Sequence, residues 1–113
     1  MAEIKAKYPE TMTPKDTYMM LKNPNAIKMA DAKNKTLHID AYVIFEDTNI
    51  STGEVSRIVS IRSGSEVYVT NSKSFLREFE LMAEAFGGDL PDIKITSGKS
   101  SKGRNYLVCE VVV

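Results

Sequence analysis

The residues from Thr96 to Tyr106 hold the chain's best material for chemistry. Lys99, Lys102 and Arg104 are cationic, Ser97, Ser100 and Ser101 are short donors, and Gly98 and Gly103 leave the backbone open to close approach. That set suits contact with phosphate oxygens, which accept from ammonium, guanidinium, hydroxyl and backbone N–H groups alike. Gly98-Lys99-Ser100 also matches the end of a Walker phosphate loop. The glycine that should precede it across four intervening residues is absent, because Ile93 stands there, and the segment leads into a strand rather than a helix. Nucleotide hydrolysis is excluded on that ground.

Aromatic rings supply a second ingredient. If Leu37, Ile39, Val43, Val67 and Val69 face inward, the alternation of a strand turns Tyr42 and Tyr68 outward on adjoining strands. Tyr106 stands beside the basic segment. Exposed rings stack nucleobases for about 1–3 kcal/mol each, with little regard to base identity. Arg57, Arg62 and Lys73 lie near the same strands along the chain. The candidate nucleic-acid-binding residues are therefore Tyr42, Arg57, Arg62, Tyr68, Lys73, Lys99, Lys102, Arg104 and Tyr106.

Nothing else in the chain suggests a reaction. His38 is the only histidine and Cys109 the only cysteine, so zinc-ligand spacing is missing and no internal disulfide can form. Cys109 alternates with Leu107 and Val111 and reads as a small buried hydrophobe. Asp40, Glu46 and Asp47 are unaccompanied by a nucleophile or an oxyanion motif and read as solvating charges. No catalytic residue, metal or cofactor is expected.

The elements that must position these residues follow from periodicity. Residues 1–12 are polar and are expected to be flexible. Thr13-Pro14-Lys15-Asp16 starts a helix that Asn23-Pro24 stops near Lys22. Ile27 and Met29 around Lys28 suggest a short strand from Ala26 to Ala30. From Thr36 to Glu46, Leu37, Ile39, Ala41, Val43 and Phe45 alternate with their neighbours, which predicts one long strand with a strongly apolar face. Val55, Val59 and Ile61 mark a second strand, on whose apolar face Arg57 is out of place. Glu66 to Thr70 marks a third. Phe75, Phe79, Met82, Ala83 and Phe86 form one stripe of a helix over about Lys73 to Phe86, ended by Gly87-Gly88. Ile93 and Ile95 begin a fourth strand, and a fifth runs from Tyr106 to Val113.

The order β-β-β-α-β-β from Thr36 is that of a five-stranded OB-fold-like antiparallel barrel, with the helix plugging one end through Phe75, Phe79 and Phe86. The expected layout is an N-terminal arm with a short helix over residues 1–34 and a barrel over residues 35–113, a single domain overall. Forty-two per cent hydrophobic and 27% charged residues are ordinary for a soluble globular chain. No apolar run approaches the roughly 20 residues of a membrane span, and no signal-peptide core is present. The expected location is therefore cytoplasmic. Net charge is zero, but residues 93–104 hold Lys94, Lys99, Lys102 and Arg104 with no acid, while residues 36–92 hold ten acids and four basic groups. A positive loop on an acidic body can still make a local phosphate-binding field.

With these residues in place, the chain resembles the small single-stranded DNA-binding proteins of bacteriophages and mobile elements of Gram-positive bacteria. The resemblance rests on Asn23-Pro24 with Ile27-Lys28-Met29, on AYVIFED at 41–47, on EVYVTNSKSFLREF at 66–79 and on ITSGKSSKGRNYLVCE at 95–110, about three quarters of the chain. It implies a non-enzymatic, largely sequence-independent binder of single-stranded DNA in phage or plasmid replication. Many such proteins carry an acidic tail that recruits replication proteins, and Glu110 followed by three valines departs from that pattern. The alternative is a small phage-encoded interaction module that inhibits a host defence or replication enzyme through its acidic body. Val111-Val112-Val113 is apolar on both faces and needs cover, either from the segment Met19 to Met29 or from a second subunit in a homodimer.

Overall fold

The computed structural model describes every residue except Met1, Pro24, Gly88, Ser100 and Val113. Pro24 as a helix stop, Gly88 as half of a helix terminator, Ser100 as a donor and Val113 as part of the apolar ending lie outside the described residues. The elements are β1 (Ala2–Tyr8), α1 (Pro14–Lys22), β2 (Ile27–Lys28), a 3-10 turn (Met29–Asp31), β3 (Thr36–Leu37), β4 (Ala41–Thr48), β5 (Val55–Ser63), β6 (Glu66–Thr70), α2 (Lys73–Phe86), β7 (Ile93–Lys99) and β8 (Asn105–Val111).

Both helices begin where their capping residues require. The Thr13 hydroxyl accepts from the Asp16 N–H at 3.1 Å, Pro14 occupies the first turn, and α1 stops at Lys22. The Ser72 hydroxyl accepts from the Phe75 N–H at 3.3 Å, and Gly87 closes α2 at a φ of 63°, a conformation that favours glycine. Between those caps Phe75, Leu76, Phe79 and Met82 are buried. Burying a side chain such as Phe75 contributes about 1.5–3 kcal/mol, so this stripe is what holds α2 in place. Phe86, expected in the same stripe, is largely exposed.

The expectation of a closed five-stranded barrel is overturned, although both expected helices are found. Among the described residues the strands form a five-stranded sheet in the order β1-β4-β5-β6-β2 and a three-stranded sheet in the order β3-β7-β8, not closed into a barrel. The cause lies in residues 36–48. Instead of one long strand, Leu37 pairs with Ile93 in the small sheet and Ala41 pairs with Arg62 in the large one. The chain crosses over between them, where the Asp40 N–H donates to the Arg62 carbonyl at 2.9 Å and the Asp40 carboxylate accepts from the Gly64 N–H at 2.6 Å. Helix α2 lies against β8, and the Ser74 hydroxyl donates to the Leu107 carbonyl at 2.9 Å.

The N-terminal region is likewise no flexible arm. β1 pairs antiparallel with β4 and β2 pairs parallel with β6, so residues 2–34 contribute both flanks of the large sheet. The short strand expected from Ala26 to Ala30 is two residues long and passes straight into the 3-10 turn.

The large sheet is covered on both faces. Tyr42, Ile44, Val59, Ile61 and Tyr68 share the face that meets α2 and the small sheet, and they join Leu37, Phe75, Phe79, Ile93 and Ile95 in the main core. Ala41, Val43 and Phe45 point the other way and pack with Met12 and Met20 in a second core built around α1. The apolar alternation from Leu37 to Phe45 is therefore shared between two cores, because the crossover at residues 38–40 turns the strand over. Helix α1 packs on β4 and β5. Val111 is packed against the main core, and the Val112 N–H donates to the Asp92 carbonyl at 2.9 Å.

Candidate nucleic-acid interface

The β7–β8 hairpin brings four of the nine candidate residues to one end. In its register Ile93, Ile95, Leu107 and Cys109 face the main core, and Lys94, Thr96, Gly98, Tyr106, Val108 and Glu110 lie on the opposite, outer face. Lys99 ends β7, Lys102 and Arg104 follow in the turn, and all three are exposed. Neither Lys99 nor Lys102 has a carboxylate partner among the described residues.

Tyr106 is 41% exposed and lies across from Gly98. A Cβ at position 98 would sit 2.7 Å from the Tyr106 Cζ and Oη, so glycine is required there for the ring to lie over the opposite strand. An aromatic ring laid over a cross-strand glycine shields backbone that has no side chain of its own. The arrangement leaves part of the ring free to meet a ligand on the outer face.

The other two tyrosines are not platforms. Tyr68 is only 1% exposed and sits among the largest side chains of the main core. Lys35 lies 5.2 Å from its ring centroid and 3.8 Å from Glu66, and hydrogen bonding to Tyr68 holds the Lys35 ammonium above its ordinary pKa. Tyr42 stacks on Tyr8 at 5.8 Å between centroids and meets Phe79 edge-on at 5.0 Å. Burial, then the charge of Glu80 and the neighbouring Tyr8, push the Tyr42 phenol upward. An outward Tyr42 and Tyr68 require a sheet with a single covered face. The large sheet is covered on both, which buries Tyr68 and leaves Tyr42 half-buried against Tyr8 and Phe79.

The remaining cations are dispersed. Arg57 Nε lies 3.1 Å from Glu80 of α2, with Glu46 at 3.9 Å, so its guanidinium serves as a polar edge to the main core. This accounts for an arginine in register with Val55, Val59 and Ile61. Arg62 is half-buried on the α1 side of the sheet, and Lys73 is exposed in the first turn of α2. Lys73 lines a small cleft together with Arg57, and Arg62 lies on the opposite face of the sheet.

The polar groups that read as unreactive have structural partners. His38 Nδ1 lies 2.8 Å from Asp92 and Nε2 lies 3.7 Å from Asp40, which ties the crossover to the start of β7. Hydrogen bonding to Asp92, then the charges of Asp92 and Asp40, raise the His38 pKa. Burial, with a smaller contribution from Glu78, pushes the Cys109 thiol up to about 12, so it is no nucleophile at neutral pH. Among the described residues no group of three or more His, Cys, Asp or Glu side chains can hold a metal ion, and no helix is long and apolar enough to cross a membrane.

No protein-family model, no curated protein and no solved structure matches this chain. Function must therefore be read from the site itself.

Proposed function

We propose that the chain is a non-enzymatic, largely sequence-independent binder of single-stranded DNA that engages its ligand with the tip of the β7–β8 hairpin. The observation that carries this reading is the gathering of Lys99, Lys102 and Arg104 beside a part-exposed Tyr106, on a segment free of acids from Ile93 to Arg104. Phosphates meet the cations and the turn backbone, and one base stacks on Tyr106 from the outer face. With a single ring in place of three, phosphate binding supplies most of the affinity, so association depends steeply on salt. Replication of phage or plasmid DNA is the biological setting that the resemblance implies.

Fluorescence anisotropy with labelled oligo-dT at two salt concentrations tests the reading. Binding at low salt that weakens as salt is raised is the expected result. An absence of binding at low salt, or an affinity indifferent to salt, overturns it.

A further inference from the structure

β5 is longer than the strand beside it. Its residues Val59 to Ser63 pair with β6, but β6 ends at Thr70, and among the described residues no strand pairs with that edge of Val55 to Ile58. The other edge of the same four residues is paired with Phe45 to Thr48 of β4. Strand edges left without a neighbour present N–H and C=O groups in a row, and proteins ordinarily cover or blunt them. Here the edge is flanked by two clefts that meet at Asn71. One, of about 390 Å³, lies between the 3-10 turn and the sheet and is lined by Lys28, Met29, Ile58, Val69 and Asn71. The other, of about 190 Å³, is lined by Val55, Arg57, Asn71 and Lys73.

The two clefts are weighted to opposite faces of the sheet, although Thr70 also lines the first and Ser56 the second. Ile58 and Val69 belong to the face that carries α1, whereas Val55 and Arg57 belong to the face that carries α2. An extended chain laid along Val55 to Ile58 sends successive side chains alternately to those two faces, hence alternately into the two clefts. Main-chain pairing for affinity and alternate pockets for selection is the physics of strand addition. The larger cleft offers the half-buried Ile58 and Val69 to an aliphatic side chain. The charged side chains lining the two clefts are Lys28, Arg57 and Lys73, with no acid among them. Arg57 is already held by Glu80, but Lys28 and Lys73 have no carboxylate partner among the described residues. Among the described residues no aromatic ring lines either cleft, which removes the stacking that a nucleic-acid strand would need.

We infer that the free edge of β5 is a docking site for an extended acidic peptide of a partner protein, which adds as a strand beside Val55–Ile58 with an aliphatic residue in the Ile58–Val69 cleft and carboxylates near Lys28 and Lys73. The site shares no residue with the hairpin tip and stands whether or not that tip binds DNA.

Two fluorescein-labelled peptides provide the test, one alternating valine with glutamate and its twin alternating valine with lysine. The acidic peptide is expected to bind the full chain at least tenfold more tightly than its twin and to slow amide exchange at Val55 to Ile58. The double variant K28E/K73E, whose exposed positions leave the fold intact, is expected to invert the preference. Equal affinity for the twins, unchanged exchange at Val55 to Ile58, or the same protection produced by oligo-dT, which would make this a nucleic-acid groove, overturns the inference. Oligo-dT anisotropy on K28E, which keeps every candidate nucleic-acid-binding residue, keeps the two proposals apart: unchanged DNA binding with a weakened peptide preference supports both.

Discussion

The two sheets treat the same alternating pattern in different ways. In the large sheet, both faces of β4 are covered, one by α2 and the small sheet and the other by α1. In the small sheet only one face is buried, by Leu37, Ile93, Ile95, Leu107 and Cys109, and Tyr106 stays on the open outer face. Tyr68 and Tyr106 therefore play opposite parts although both lie on amphipathic-looking strands. Alternation shows which residues share a face. It does not say how many faces will be covered, because that depends on what else the chain folds onto the sheet.

The contrast breaks most sharply at its buried end. Tyr68→Ala removes a ring from the closed main core and is expected to cost about 3–5 kcal/mol of stability, read from urea unfolding midpoints. Oligonucleotide affinity per folded molecule should not change. If affinity falls while stability holds, Tyr68 is a platform after all and the two-core account is wrong.

Met20→Ala tests whether the second core is a core at all. Met20 is 3% exposed against Val43 and Phe45, and its truncation should destabilise by about 2 kcal/mol or more. A change within about 0.5 kcal/mol, as for a surface position, would mean that α1 merely rests on the sheet.

At the open end the prediction inverts. Tyr106→Ala should leave unfolding nearly unchanged and weaken oligo-dT binding by about 1–3 kcal/mol in anisotropy titrations. Replacing Lys99, Lys102 and Arg104 together by alanine should flatten the plot of log affinity against log salt by about 0.7 for each phosphate that is no longer neutralised. Equal slopes for the wild type and this variant would show that the tip does not touch phosphate.

The smallest effect lies at the crossover that joins the sheets. His38 has its pKa raised above 6.5 by Asp92 and then Asp40, so its protonated form favours the folded chain. That contribution is fully present below the unfolded value of about 6.5 and is lost as pH rises through the raised folded value. The thermal midpoint of the wild type should exceed that of His38→Gln near pH 5 and converge with it near pH 8. A gap that widens with rising pH would give the sign the other way.

Much of the local structure was legible from residue types alone. Thr13 and Pro14 for α1, the apolar stripe and Gly87 for α2, and the run Glu66 to Thr70 mark their elements at the observed boundaries, because capping and strand preference act between near neighbours. The gathering of cations between Lys94 and Arg104 is equally local, and it stays exposed because nothing in it can be buried without loss. Tertiary structure alone decided that residues 38–40 cross between sheets, that residues 2–34 form two flanks of a sheet, and that Tyr68 is buried while Tyr42 is half-buried. Those outcomes depend on contacts between segments far apart in the chain, such as β1 with β4, α1 with the Ala41–Val43–Phe45 face and Arg57 with Glu80. Periodicity cannot report them, since a strand with two apolar partners and a strand with one differ only in what arrives from elsewhere.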